Sequence, residues 1–110
     1  MTVEESRKID FAALEPQSGD MRLIICDHLD WKENEGEHLL LLQDKLNSYL
    51  AFIESGEIYS KLPKAIGRRI VIEVTGKFPL SEEASKFYRL AGKAIKDAGF
   101  SLRFEHSKSQ

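Results

Sequence analysis

Met21-Arg-Leu-Ile-Ile-Cys-Asp-His-Leu-Asp-Trp31 leads into the change of period on which the fold turns. Its first six residues, Met21 to Cys26, are apolar on both faces except at Arg22, the pattern of a strand in the interior of a sheet. Beyond Asp30 the apolar positions recur at helical spacing: Leu39, Leu42, Leu46, Tyr49, Leu50 and Ile53 share one side, while Gln43, Asp44, Lys45, Asn47 and Ser48 fill the other. Two starts compete for this helix. Asp30 with Glu33 makes one capping pair, and Asn34 with Glu37 makes another. The first is preferred here, with Gly36 inside the helix at a cost of about 1 kcal/mol. Gly56 is a natural stop.

Upstream, Ile9-Asp-Phe-Ala-Ala-Leu14 reads as a first strand with Ile9, Phe11 and Ala13 toward the core. Pro16-Gln-Ser-Gly-Asp20 is a turn, so the two runs form a hairpin. Downstream, residues 57–67 are a basic connector containing Lys61, Pro63, Lys64 and Gly67. Ile70-Val-Ile-Glu-Val74 is a strand with Ile70, Ile72 and Val74 on one face, and Gly76 to Leu80 turns the chain. Ser81 caps a second helix, and Glu82 and Glu83 suit the positive end of its dipole. The core face of that helix is Ala84, Phe87, Tyr88, Ala91, Ile95 and Ala98, closed by Gly99 and Phe100. Leu102, Phe104 and His106 form the last strand.

The expected fold is α+β, a two-layer sandwich in ββαβαβ order. Its four-stranded mixed sheet carries both helices on one face, through right-handed crossovers. The other face would carry Glu73, Arg103 and Glu105 beside Ile24, Cys26 and Val71. Residues 1–8 read as a disordered N-terminal segment, 9–106 as the single domain and 107–110 as a disordered tail.

The chain has 110 residues, enough for one core without staples, and 42% of them are hydrophobic, far from the composition of a disordered chain. Net charge is −2, so the cationic excess that phosphate contacts demand is missing and nucleic acid is not expected as a partner. One cysteine, Cys26, excludes an intrachain disulfide. The polar start from Met1 to Lys8 does not suit a signal peptide, and no apolar run reaches the roughly 18 residues of a membrane span. A cytoplasmic location follows by elimination.

The densest group of reactive side chains is Asp27, His28, Asp30 and Trp31, followed by Glu33, Glu35, Glu37 and His38. It lies where an interior strand ends and a helix begins, a usual place for ligands in α/β sheets. Asp27, His28, Asp30 and His38 have the donor types for a divalent metal or for acid–base work. Carboxylates before a helix also stabilise its first turn with no ligand. His38, at the head of the leucine stripe, suits a structural role, and Trp31 suits a staple between helix and sheet. No paired-cysteine or HExxH spacing is present, so no metal site is assigned. Without a phosphate loop, dinucleotide glycine pattern or nucleophile elbow, no cofactor and no catalytic residue are assigned either. Cys26 sits in an apolar strand beside Asp27, the wrong sign to stabilise a thiolate. The run Lys61 to Arg69, with Tyr59 beside it, is the one basic cluster and reads as a solvated loop.

Asp27-His-Leu-Asp-Trp31, Glu37-His-Leu-Leu-Leu-Leu-Gln43, Tyr49-Leu-Ala-Phe-Ile-Glu-Ser-Gly-Glu57, Ile70-Val-Ile-Glu-Val74 and Ala98-Gly-Phe100 together resemble a small bacterial family known only as a domain of unknown function. Asp27 to Trp31 and Phe52 to Gly56 are the distinctive parts. The resemblance covers Ile9 to Phe104. It implies a bacterial, intracellular protein and transfers no catalytic residues. The leading expectation is a non-enzymatic binding or interaction module contacting a protein partner or small ligand through Asp27, His28, Asp30, Trp31 and His38. Two alternatives stay open: a small enzyme or metal-binding protein using the same junction, and a homodimer joined through Ile24, Cys26 and Val71.

Overall fold

The hairpin, both crossovers and both long helices are present in the computed structural model, which describes residues 11–107. The strands are β1 (Phe11–Leu14), β2 (Met21–Asp27), β3 (Ile70–Gly76) and β4 (Ser101–His106). The helices are α1 (Glu35–Glu54), α2 (Glu57–Lys61) and α3 (Glu82–Asp97), with a 3₁₀ turn over Pro63–Ala65. In the sheet the order is β1-β2-β3-β4; β1 is antiparallel to β2, and the other pairs are parallel. The fold is α+β with a mixed, open sheet.

Alternation along the strands decides which side is covered. In β2, Leu23, Ile25 and Asp27 point under the helices, and in β3 Ile70, Ile72 and Val74 do the same. Against them pack Leu42, Leu46, Tyr49 and Ile53 of α1 and Ala84, Tyr88 and Ile95 of α3, in one continuous core. The opposite face carries Ile24, Cys26, Val71, Glu73, Arg103 and Glu105. Glu73 is only 4% exposed there. It accepts from Arg103 Nε at 2.9 Å and lies 3.5 Å from Arg22. No helix among the described residues is long and apolar enough to cross a membrane.

Five details depart from expectation. The first is the facing of β1, where Phe11 pairs with Ile24 and Ala13 with Arg22, on the uncovered side, while Ala12 and Leu14 meet Leu23 and Met21 on the helix side. A one-residue change of register exchanges the two faces, and here the turn sets it. Glu15 N–H donates to Asp20 O and Gly19 N–H to Glu15 O, both at 2.8 Å, with Gly19 at φ 76°. Ile9 lies outside the described residues.

The second is the start of α1. It begins at Glu35 behind Asn34, which holds φ 54°. Asp30 Oδ1 instead accepts from Lys32 and Glu33 N–H in a separate turn, at 3.2 and 3.4 Å. The cause is visible eight residues on: His38 Nδ1 bonds Asp30 O at 2.9 Å. In a continuous helix those residues would be about 12 Å apart along the axis, so the chain has to loop back.

The third is the connector, which contains α2 and the 3₁₀ turn and buries Ile58 and Ala65 completely. Elements this short have no period to read. The fourth is Lys45, expected on the polar side of α1 but 0% exposed, its Nζ 5.6 Å from the centre of the Tyr49 ring one turn on. A lysine stem lies readily along apolar surface. The fifth is Ala98, which is exposed as the C-cap of α3. The expected terminal segments lie outside the described residues except for Ser107, whose N–H donates to Gly76 O at 2.8 Å.

Candidate functional site

Parallel strands joined by helices place the carboxyl ends of β2 and β3 and the amino ends of α1 and α3 at one edge of the sheet. Asp27 is the last residue of β2, at an inward position of the alternation, so its carboxylate enters the core at 2% exposure. His38, one turn into α1, is also 2% exposed. His38 Nε2 lies 2.6 Å from Asp27 Oδ2. A carbonyl only accepts, so the bond to Asp30 O assigns a proton to Nδ1. Asp27 Oδ1 accepts from Leu29 N–H at 3.1 Å. Trp31, 7% exposed, stacks on the His38 ring with centroids 3.5 Å apart and planes 13° from parallel. Aspartate, histidine and tryptophan thus lock the 28–34 loop against the start of α1.

Tyr88 of α3 enters the same region. Its hydroxyl is buried and has no hydrogen-bond partner among the described residues. Burial first, and the Asp27 carboxyl group second, push its ionisation well above the ordinary tyrosine value. Tyr88 belongs to the predicted core face, but its adjacency to Asp27 is not visible at a separation of 61 positions. A second tie was also missed: Ser81 Oγ donates to Glu35 at 2.5 Å while accepting from Ala84 N–H at 3.1 Å, joining the amino ends of the two long helices.

Outside the lock is an open cleft of about 460 Å³ lined by His28, Asp30, Glu33, Asn34, Glu37 and Lys77, among others, with His38 in its lining as well. The five singled-out residues therefore divide. Asp27, Trp31 and His38 converge beneath the cleft; His28 is exposed on its wall, and Asp30 serves the turn. The four expected metal or acid–base residues do not converge, and among the described residues no three His, Cys, Asp or Glu side chains are placed to hold a metal ion. Both nitrogens of His38 are engaged inward, so the imidazole offers no free nitrogen to a bound molecule.

The remaining candidates are structural. Cys26 is half-buried on the open face, in register with Thr75. In the basic run Lys61 to Arg69, Arg68 donates to Gly19 O through Nη1 and to Lys64 O through Nε, each at 2.8 Å, clasping the hairpin turn to the 3₁₀ segment.

A family model matches residues 1–108, almost the whole chain. The chain belongs to the family of unknown function DUF6572. That membership agrees with the resemblance carried by Asp27 to Trp31 and Phe52 to Gly56. No curated protein and no solved structure matches the chain.

Proposed function

We propose that this DUF6572 protein is a non-enzymatic interaction module of the bacterial cytoplasm, whose cleft at the carboxyl edge of the sheet receives a basic segment of a partner protein. The observation that carries this reading is the orientation of His38. Of the residues that looked reactive in sequence, Asp27 and His38 are turned inward and hold the loop. The groups that face solvent are the carboxylates of Asp30, Glu33 and Glu37, with Lys77 and His28 at the wall. An array of carboxylates on a rigid support suits charge-complementary docking of lysine or arginine side chains. The single cysteine and the family resemblance support the intracellular, bacterial setting.

The test is a titration of the purified protein with a panel of basic peptides, beside divalent metals, nucleotides and common metabolites, read by thermal midpoint. A ligand of the folded state at 100 times its dissociation constant stabilises by about 2.7 kcal/mol. The double variant Glu33→Gln, Glu37→Gln should abolish the response to peptides while leaving the unliganded midpoint in place. A response to a metal or a nucleotide with none to any basic peptide would replace this reading by the ligand-binding alternative.

A further inference from the structure

We propose that the free edge of β4 pairs with β4 of a second copy, making an eight-stranded sheet across a two-fold axis; this is independent of what fills the cleft. The backbone decides which groups are available. Ser107 N–H donates inward to Gly76 O, and strand alternation then turns the N–H and C=O groups of Ser101, Arg103 and Glu105 toward β3 as well. Those of Leu102, Phe104 and His106 face outward, and among the described residues no strand lies beyond β4. The opposite edge is the four-residue β1, shorter than the six residues of β4.

An antiparallel partner has to match outward groups with outward groups, which leaves few registers. Centring the pair on Arg103 sets Arg103 against its own copy, and centring it on Glu105 sets Glu105 against itself; like charges directly opposite are unfavourable. Centring it on Phe104 gives a different result. Leu102 faces His106, Phe104 faces Phe104, and all three outward residues exchange both of their bonds with the second copy. Between these hydrogen-bonded positions Arg103 stands opposite Glu105, twice, on the uncovered face of the sheet. Side chains approach most closely at such non-hydrogen-bonded positions. Arg103 already contacts Glu73 and Glu15, and its side chain is still 44% exposed, so a second carboxylate can reach it. The six-residue strand is therefore self-complementary in hydrogen bonding and charge at once, and the two-fold operation closes the assembly at a dimer.

The experiment is sedimentation equilibrium over a concentration series, with amide exchange followed by NMR on the same samples. The expected result is a monomer–dimer equilibrium in which the amides of Leu102, Phe104 and His106 slow as concentration rises, while those of Arg103 and Glu105 are slow throughout. Glu105→Lys replaces two attractive pairs by two repulsive ones and should raise the dissociation constant about tenfold or more. His106→Pro removes an outward N–H that β3 does not use and should leave a folded monomer; circular dichroism checks both variants. A monomer at the highest soluble concentration overturns the proposal. So does a dimer in which the three outward amides exchange at the monomer rate, the outcome expected if Ile24, Cys26 and Val71 were the contact instead.

Discussion

Replacing Tyr88 by phenylalanine should make the protein more stable, against the usual direction for a buried substitution. The hydroxyl is buried without a partner among the described residues, and an unsatisfied buried polar group costs about 1–3 kcal/mol. The ring keeps its packing in the variant, including the edge contact to Phe87 at 5.8 Å and the tilted contact to Phe104 at 5.2 Å. The gap left by one oxygen returns part of the gain, so the net expectation is about 1 kcal/mol, or about 4–8 °C in midpoint for a domain of this size. The pH dependence follows with a definite sign. Burial, then Asp27, raises the folded-state pKa of Tyr88 far above its unfolded value near 10. Below pH 10 both states hold the proton and the wild-type stability is unaffected. Above it only the unfolded state releases the proton, so wild-type stability falls by up to about 1.4 kcal/mol per pH unit through this group. Tyr88→Phe lacks that loss, and its advantage should widen between pH 10 and 11. Urea denaturation at both pH values, with unchanged m, measures this. A variant less stable than wild type by 1 kcal/mol or more would refute the reasoning and point to a buried water bonded to the hydroxyl.

Asp27→Ala should cost about 3–5 kcal/mol, because it leaves His38 buried beside an empty acceptor site, whereas Asp27→Asn should cost about 1 kcal/mol or less. The asparagine amide can donate to Nε2 and its oxygen can still accept from Leu29 N–H, so equal losses in urea titrations of the two variants would show that an amide cannot replace the carboxyl group. Gly76→Ala would place a Cβ 2.6 Å from Phe104 Cε1; about 1–3 kcal/mol should be lost, and a loss below the error of denaturation would mean that the ring moves freely. Arg68→Ala should speed amide exchange at Gly19 and Asp20 and cost about 1 kcal/mol; unchanged exchange would show that the turn holds without its clasp.

The strands and the long helices were legible because each repeats its pattern over enough residues to exclude the other period. Ile70 to Val74 and the leucines of α1 are of this kind, and so is the Ser81 cap. Four residues of β1 do not repeat enough to fix a face, and the register that turned Phe11 outward is set by hydrogen bonds in the turn. The charge of Lys45 points to the polar side of α1, while its position between Leu42 and Tyr49 turns it inward. The site was legible in part: Asp27, Trp31 and His38 were recognisable as one neighbourhood, with structural roles for the last two. The bond between Asp27 and His38 was not, since it depends on a loop that turns back across eight residues. Nothing local marks Tyr88 as the neighbour of that pair.

The loop also explains why the cleft and the stability of the fold are coupled. Moving steadily from β2 to β3 to β4, the parallel strands never reverse direction of progress across the sheet, so they lack the switch point at which such sheets open a crevice. A concavity at this edge has to be built by the connection between β2 and α1. Residues 28–34 form much of it, with Glu37 of α1 and Lys77 and Phe78 after β3 completing the walls. The 28–34 loop is held by bonds to Leu29 N–H, to Asp30 O and beneath Trp31, all made by Asp27 and His38. A change in the lock therefore alters the cleft walls as well as the folding free energy, and loss of binding in such a variant would not reveal which residues touch the ligand. Glu33 and Glu37 are exposed and stand outside the lock, so they are the positions at which binding can change while stability does not.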